Sequence, residues 1–157
     1  MLSPVARANI YLKFFGFFKV PFIWLTRAKV LRLDESSVEI KIPLKRKTKN
    51  HLNSMYFGAL AIGADVAGGF MAMTKAKQNN MRISLAFKHV EGRFIQRAES
   101  DVHFICDDGA VIDKMLATTM ETGERVNESV RITAVCPAID RNQAVAEFDL
   151  TLSVKRY

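Results

Sequence analysis

Cysteine is scarce in this sequence, acids are outnumbered, and its greasiest run is too short for a membrane span. The two cysteines, Cys106 and Cys136, lie far apart in runs that read as strands. Neither stands at a metal-type spacing from His51, His89 or His103, so no metal site is expected, and no cofactor. They read as two reduced structural thiols of a cytoplasmic protein. Acids number 16 against 23 Lys and Arg, a net charge of +7 that points to an anionic partner. Helix-turn-helix spacing, a zinc motif and an aromatic ribonucleoprotein pattern are all missing, so nucleic acid is not the expected partner. Nor is there an internal repeat or a low-complexity linker. The 157 residues, 49% of them hydrophobic, are expected to form a single domain with a real core.

The greasy run is "IYLKFFGFFKVPFIWL". It has 16 residues, carries Lys13 and Lys19, and is interrupted by Pro21. A spanning helix needs about 20 mostly apolar residues, and a signal peptide needs an unbroken apolar centre with a cleavage site. Residues 1–25 therefore read as an amphipathic helix covering one side of the domain, with peripheral contact to a membrane surface as the alternative. Pro21 should end or bend it.

From Lys29 the period changes to alternation. "KVLRLD" and "SVEIKIPL" read as a hairpin turning at "ESS", and "KRKTKN" as a basic loop. A Gly- and Ala-rich helix follows, extending to about Lys75. Each interior glycine costs about 1 kcal/mol relative to alanine, so Gly63, Gly68 and Gly69 imply close packing of a buried central helix. Strand alternation then returns. "MRISLAFKHV" and "RFIQRAESDVHFIC" are expected as strands joined by a tight turn at Glu91-Gly92. The segment "AVIDKMLATTMETGERV" is ambiguous between a helix and a strand pair; a strand from Ala110 turning at Thr122-Gly123 is slightly favoured. "VNESVRITAVC" and "QAVAEFDLTLSVKRY" read as long strands separated by "PAIDRN". The expected class is α+β, with a curved antiparallel sheet wrapped around one long helix.

The segment "NHLNSMYFGALAIGAD" places one carboxylate inside this small, apolar helix. From about Lys29 to Lys155 the chain resembles hotdog-fold proteins of the acyl-CoA thioesterase type, the phenylacetate-pathway group among them. Members of that family often show Asn, then six residues later His-Gly-Gly opening the helix, then Asp or Glu seven residues after the last Gly. Here Asn50, Gly58 and Asp65 fill the first, last-glycine and acid positions. The chain departs from the pattern in having Tyr56-Phe57 where the family has His-Gly, and "HVEG" where an Arg-Pro pair is common. The resemblance implies hydrolysis of acyl-CoA or acyl-carrier thioesters by a homodimer or a dimer of dimers.

Thioester hydrolysis needs an activated water and a donor for the developing oxyanion. Amides at a helix N-terminus have no intrahelical partner, and those of Phe57 and Gly58 suit the donor role. Asp65 suits general base or nucleophile, between which the sequence does not choose. At 1.5 Å per residue, Asp65 lies about 10 Å beyond Gly58 along the helix. One chain does not bring both to one carbonyl, whereas antiparallel helices across a two-fold axis would. Asn50 is either a cap or a group orienting water or carbonyl, and Tyr56 either core or a hydroxyl donor in the family's His position. His51 reads as a surface residue. Ser84 on the following strand is a candidate substrate contact facing the pocket from the other subunit, with Lys88 and Arg93 beyond it. Phe70, Met71, Met73 and the N-terminal phenylalanines are either plain core or the lining of a long apolar pocket. Lys45, Arg46, Lys47 and Lys49, together with Arg97, are further phosphate-binding cations or simply solvated charge. The competing reading is a non-catalytic hotdog protein that binds an acyl chain or a partner, because Phe57 is bulky at the proposed oxyanion site.

Overall fold

The computed structural model describes residues 1–157. Ser3 opens the first helix, its hydroxyl accepting from the Ala6 amide at 3.2 Å with Pro4 next in line. This helix, α1 (Pro4–Phe18), ends where Lys19 and Val20 turn the chain, and Pro21 starts a second, α2 (Pro21–Thr26). The N-terminal segment is therefore two helices, folded back on each other at Gly16. A Cβ there would sit 3.0 Å from the Trp24 backbone nitrogen. Arg27, at φ 56°, ends α2 in the left-handed region.

The expected hairpin follows as β1 (Lys29–Leu33) and β2 (Val38–Ile42), paired antiparallel. Its turn is fixed by the Asp34 carboxylate, which accepts from the Ser36 and Ser37 amides at 2.9 and 2.8 Å. Asn9 of α1 caps the sheet edge: its side chain donates to the Val30 carbonyl and accepts from the Val30 amide, both at 2.8 Å. The α1 helix is thereby held in one rotational setting against β1.

The long helix α3 (Phe57–Gln78) is encircled by β3 (Ile83–Phe94), β4 (Val102–Cys106), β5 (Val126–Cys136) and β6 (Arg141–Arg156) together with the hairpin. The six strands run in the order β1-β2-β4-β5-β6-β3, and all adjacent pairs are antiparallel. Although α3 is apolar enough to cross a bilayer, 61% of that stretch is buried inside the protein, as befits a core helix. Its glycines explain how it lies so deep. The Phe104 ring fills the space where a Gly63 side chain would be, and Leu150 and Val130 come within 3.3 and 3.4 Å of a Cβ at Gly68. Small residues on the helix thus receive large ones from the sheet.

Two expectations are corrected. The segment after Cys106 is not a strand pair but the helix α4 (Gly109–Thr122). Ile112, Met115, Leu116 and Thr119 are its buried stripe, at helical spacing, and Gly123 at φ 75° is its stop. Nor does the chain turn at Glu91-Gly92; β3 runs straight through both residues. Gly92 lies opposite Phe148, whose ring would meet a Cβ there at 3.0 Å, so this glycine makes room for an aromatic side chain. The connection to β4 comes later, through residues 95–101. A short helix, α5 (Pro137–Asp140), occupies the expected break between the last two strands.

β3 is an edge strand with β6 as its sole neighbour. After a register shift between Phe87 and His89, Val90 pairs with Leu150 and Phe94 with Ala146, whose side chains are buried. Val90 and Phe94 therefore face the helix side, yet they are 60% and 54% exposed. A long edge with apolar side chains left in water is a ready template for a second chain.

Candidate active site

The start of α3 is set by a tightly bonded loop. The Asn50 side-chain oxygen accepts from the amides of Leu52 and Ser54 at 2.9 and 3.2 Å and from the Ser54 hydroxyl at 3.2 Å. Thr48 accepts at its carbonyl from the Tyr56 amide, and Ala98 from that of Met55, both at 2.8 Å. Asn50 thus organises the turn that delivers the helix, its oxygen already committed to that turn.

Tyr56 is the N-cap, and no side chain caps the helix. Ala59 and Leu60 donate their amides to the Tyr56 carbonyl. The amides of Phe57 and Gly58 have no acceptor within the chain, which leaves two adjacent donors at the positive end of a 22-residue helix. The Tyr56 ring folds over Gly58, occupying the place of any side chain there. Phe57 points outward, 61% exposed, its ring 4.9 Å from Tyr56 and 6.3 Å from Phe94 between centroids.

Two turns further on, Asp65 opens into a cavity of about 420 Å³, within the range of small-molecule sites. Its walls are Tyr11, Leu12 and Phe15 of α1, Val20, Ile23 of α2, Val66, Gly69, Phe70 and Met73 of α3, and Ile83, Leu85 and Phe87 of β3. Gly69 admits β3 at this point, since a Cβ would meet the Phe87 ring at 3.1 Å. No side chain or amide donates to the Asp65 carboxylate. Burial alone pushes its pKa from 3.8 up to about 6. Few acids are so placed: Asp113, for example, pairs with Lys75 at 2.9 Å.

The other candidates are not gathered around Asp65 within one chain. Ser84 alternates with Ile83 and Leu85, which line the cavity, so it projects from the opposite face. Its hydroxyl donates to the Lys155 carbonyl at 3.4 Å. Arg93 is bonded to Glu147 at 3.0 Å, and Lys88 is exposed at the β3 register shift without an acidic partner. His51 is exposed in the loop before α3. Phe57 and Gly58 lie seven to eight residues before Asp65 on the same helix, hence about 10 Å away. Cys106 and Cys136 are buried and unpaired, and burial pushes the Cys106 thiol up to about 11, far from a usable nucleophile. Of the residues that suggest a long apolar pocket in the sequence, Phe15, Phe70 and Met73 line this cavity, while Leu12 and Ile23 of its α1–α2 wall were not anticipated. The signal was present in Leu12 and Ile23, apolar residues facing inward beside outward aromatics.

A family model, described as a domain of unknown function (DUF4442), matches residues 8–154. The chain belongs to the DUF4442 family. No curated protein matches it. Among solved structures, this DUF4442 chain is similar over 100% of its length to 99% of a Pseudomonas aeruginosa protein of unknown function described as a probable thioesterase, at 22% identity and TM-score 0.78. A Chlorobaculum tepidum protein of unknown function shares 15% identity at TM-score 0.84, with 99% of this chain and 98% of that one covered. A Haemophilus influenzae thioesterase shares 11% identity at TM-score 0.71, covering 99% and 93%. At these identities the likeness is one of fold: the DUF4442 chain shares the hotdog fold, a curved antiparallel sheet around one long helix, with these structures.

Proposed function

We propose that this protein hydrolyses acyl thioesters of coenzyme A or of an acyl carrier, in the cytoplasm, as a homodimer or a dimer of dimers. The observation that carries the reading is the Asp65 carboxylate, held without a donor beside an apolar cavity and pushed to about 6. A base poised near neutral pH is what water activation needs. The apolar walls suit an acyl chain. Pairing of two copies along their β3 edges would cover Phe87, Val90 and Phe94 and set the two α3 helices antiparallel. Asp65 of one copy then works with the free amides of Phe57 and Gly58 of the partner.

In this arrangement Asp65 takes a proton from water as the oxygen attacks the thioester carbonyl. The amides hold the resulting oxyanion. Collapse breaks the carbon–sulfur bond, the proton returns to the departing thiolate, and acid and thiol leave. As nucleophile, Asp65 would instead form a mixed anhydride that water opens. Asn50 supports the donors by fixing their loop, and Tyr56 shields them. Lys88 and Arg93 supply positive charge for phosphate, with Ser84 on the outer face of the same strand.

Subunit complementation tests this directly. Phe57→Pro removes one amide donor at a helix position where proline is tolerated, and Asp65→Asn removes the base. Each homodimer should release little thiol from acyl-CoA. Co-refolded in equal amounts, they should recover about a quarter of wild-type turnover, because half of the dimers then contain one intact site. No recovery, with heterodimers demonstrably formed, would remove the shared site. A second reading, acyl binding without turnover, is favoured by the Tyr56 and Phe57 rings crowding the helix start. It predicts tight acyl-CoA binding and no thiol release by wild type.

A further inference from the structure

The outer face of the N-terminal helix pair exposes five aromatic and two aliphatic side chains to water. A helix on a soluble domain normally turns a polar stripe to water. On α1, Ile10, Phe14, Phe17 and Phe18 are exposed at helical spacing alongside Arg7 and Lys13, with Phe22, Trp24 and Leu25 continuing the apolar set on α2. Phe18 and Phe22 are 68% and 71% exposed. The rings form one connected patch: Phe14 stacks on Phe18 at 6.1 Å, Phe17 meets Phe18 edge-on at 4.9 Å, and Phe17 meets Trp24 at 5.5 Å. The inner faces of the same helices are occupied by core contacts and by the cavity wall, so this patch is surplus to folding.

Charge singles out what would cover it. Residues 1–33 include Arg7, Lys13, Lys19, Arg27, Lys29 and Arg32 and no acid, so this segment supplies six of the seven net positive charges. Beside the patch, between α1, α2 and β1, lies a cleft of about 550 Å³. Lys13, Arg27, Lys29 and Lys47 line it over a floor of Leu12 and Ile23, and no carboxylate pairs with any of the four. Lys47 instead sits 5.9 Å above the Trp24 ring. A second cleft shares Arg27 and Lys47 and adds Lys45 and Arg46, again without an acid. Unpaired cations gathered around exposed aromatics match the two layers of an anionic bilayer: acyl chains for the rings and phosphate groups for the cations. Asn9 fixes α1 against β1, and Trp24 and Leu25 belong both to the aromatic patch and to the lining of the first cleft, so rings and cations are contiguous.

We propose that α1 and α2 dock this protein onto anionic phospholipid bilayers, with Phe14, Phe17, Phe18 and Phe22 entering the acyl boundary and the cations at the clefts engaging lipid phosphates. The docking stands independently of any catalytic reading. It does mean that the wall of the Asp65 cavity is the reverse side of the membrane-facing helices, which would place that cavity one helix away from lipid.

Vesicle sedimentation of the full chain is the test, using phosphatidylcholine alone and phosphatidylcholine with one quarter phosphatidylglycerol. Wild type should pellet with the anionic vesicles, weakly or not at all with the neutral ones, and less as salt rises. Phe14→Ser/Phe17→Ser/Phe18→Ser should reduce the partition coefficient at least about tenfold. Lys13→Glu/Arg27→Glu/Lys47→Glu should do the same through headgroup repulsion. All six positions are surface or cleft residues, and far-ultraviolet spectra of both variants should match wild type. Absence of wild-type pelleting, an unaffected serine variant, or an unaffected glutamate variant would each overturn the proposal. So would concentration-dependent self-association in vesicle-free solution that the serine variant abolishes, since the patch would then face a second copy.

Discussion

Replacing Asp65 by asparagine should make the protein more stable and less active, and the pH at which the stability gain appears is fixed by the structure. Burial raises the carboxyl from 3.8 to about 6, a shift equivalent to about 3 kcal/mol between the charged and neutral forms. The sign follows from proton counts. Between roughly pH 4 and 6 the native state retains a proton that the unfolded chain has lost, so wild-type stability falls as pH rises through that window. Above it the full penalty for a buried, partnerless charge persists. Asparagine has no such titration. Because the cavity admits some water, the variant should gain about 1–3 kcal/mol above pH 6, or about 3–10 °C in Tm, and nothing below pH 4. Urea unfolding from pH 4 to 8 at fixed protein concentration measures it. Thiol release from acyl-CoA, expected to rise with an apparent pKa near 6 in wild type, should fall about 10²- to 10⁴-fold. A gain of the same size at pH 4 and 8, or a less stable variant at pH 8, would refute the picture of an unsatisfied carboxylate.

Two further outcomes follow from named contacts. Val90→Lys puts a cation on the exposed helix-facing side of the β3 edge; paired copies would bring like charges together at a cost of about 3 kcal/mol, roughly a hundredfold in dissociation constant. Light scattering should show monomer and thiol release should drop with it, and an unchanged dimer would exclude this edge as the interface. Glu39 is buried between His103, 2.6 Å away, and Arg141, 2.9 Å away. Burial works against its charge, but hydrogen bonds from Arg141 and His103 win and hold its carboxyl below the usual 4.5. Glu39→Ala should destabilise by about 2 kcal/mol at pH 7, less than for a fully buried pair because Arg141 is half in water. The wild-type advantage is present above pH 4.5 and lost as pH falls through the lowered value; urea midpoints at pH 7 and pH 3.5 that differ from the variant's equally would contradict it.

Much of the fold was legible in local periodicity, and its failures have local causes. The hairpin alternates cleanly over "KVLRLD" and "SVEIKI", and both strands are where alternation puts them. In α4 the pattern Ile112, Met115, Leu116, Thr119 is a helical stripe. It was obscured by Val111, Thr118 and Thr119, whose branched side chains raise strand propensity, and by Thr122-Gly123, which serves a helix stop and a hairpin turn equally well. Gly92 misled for a related reason: a glycine inside a strand and a glycine in a turn look alike unless the facing residue, here Phe148, is known. That facing residue is 56 positions away in sequence, beyond the reach of any local reading.

The candidate site divides along the same line. Features within one helix were readable. Asp65 stands out against Gly and Ala, and Phe57 and Gly58 open α3 as their place after a capped loop implies. Long-range geometry was not: that β3 turns Ser84 away from the cavity of its own chain, and that Leu12 and Ile23 join Phe15 in the α1–α2 wall, follow only from the fold. One deduction nevertheless crosses from local to long range. A base and an oxyanion donor two turns apart on one rigid helix do not share a carbonyl. If both act, a second helix must supply one of them, and the only long, unpaired, apolar edge able to bring that helix alongside is β3, with Val90 and Phe94 still in water. The same residues that make an isolated chain a poor soluble surface are those that a working site requires to be covered.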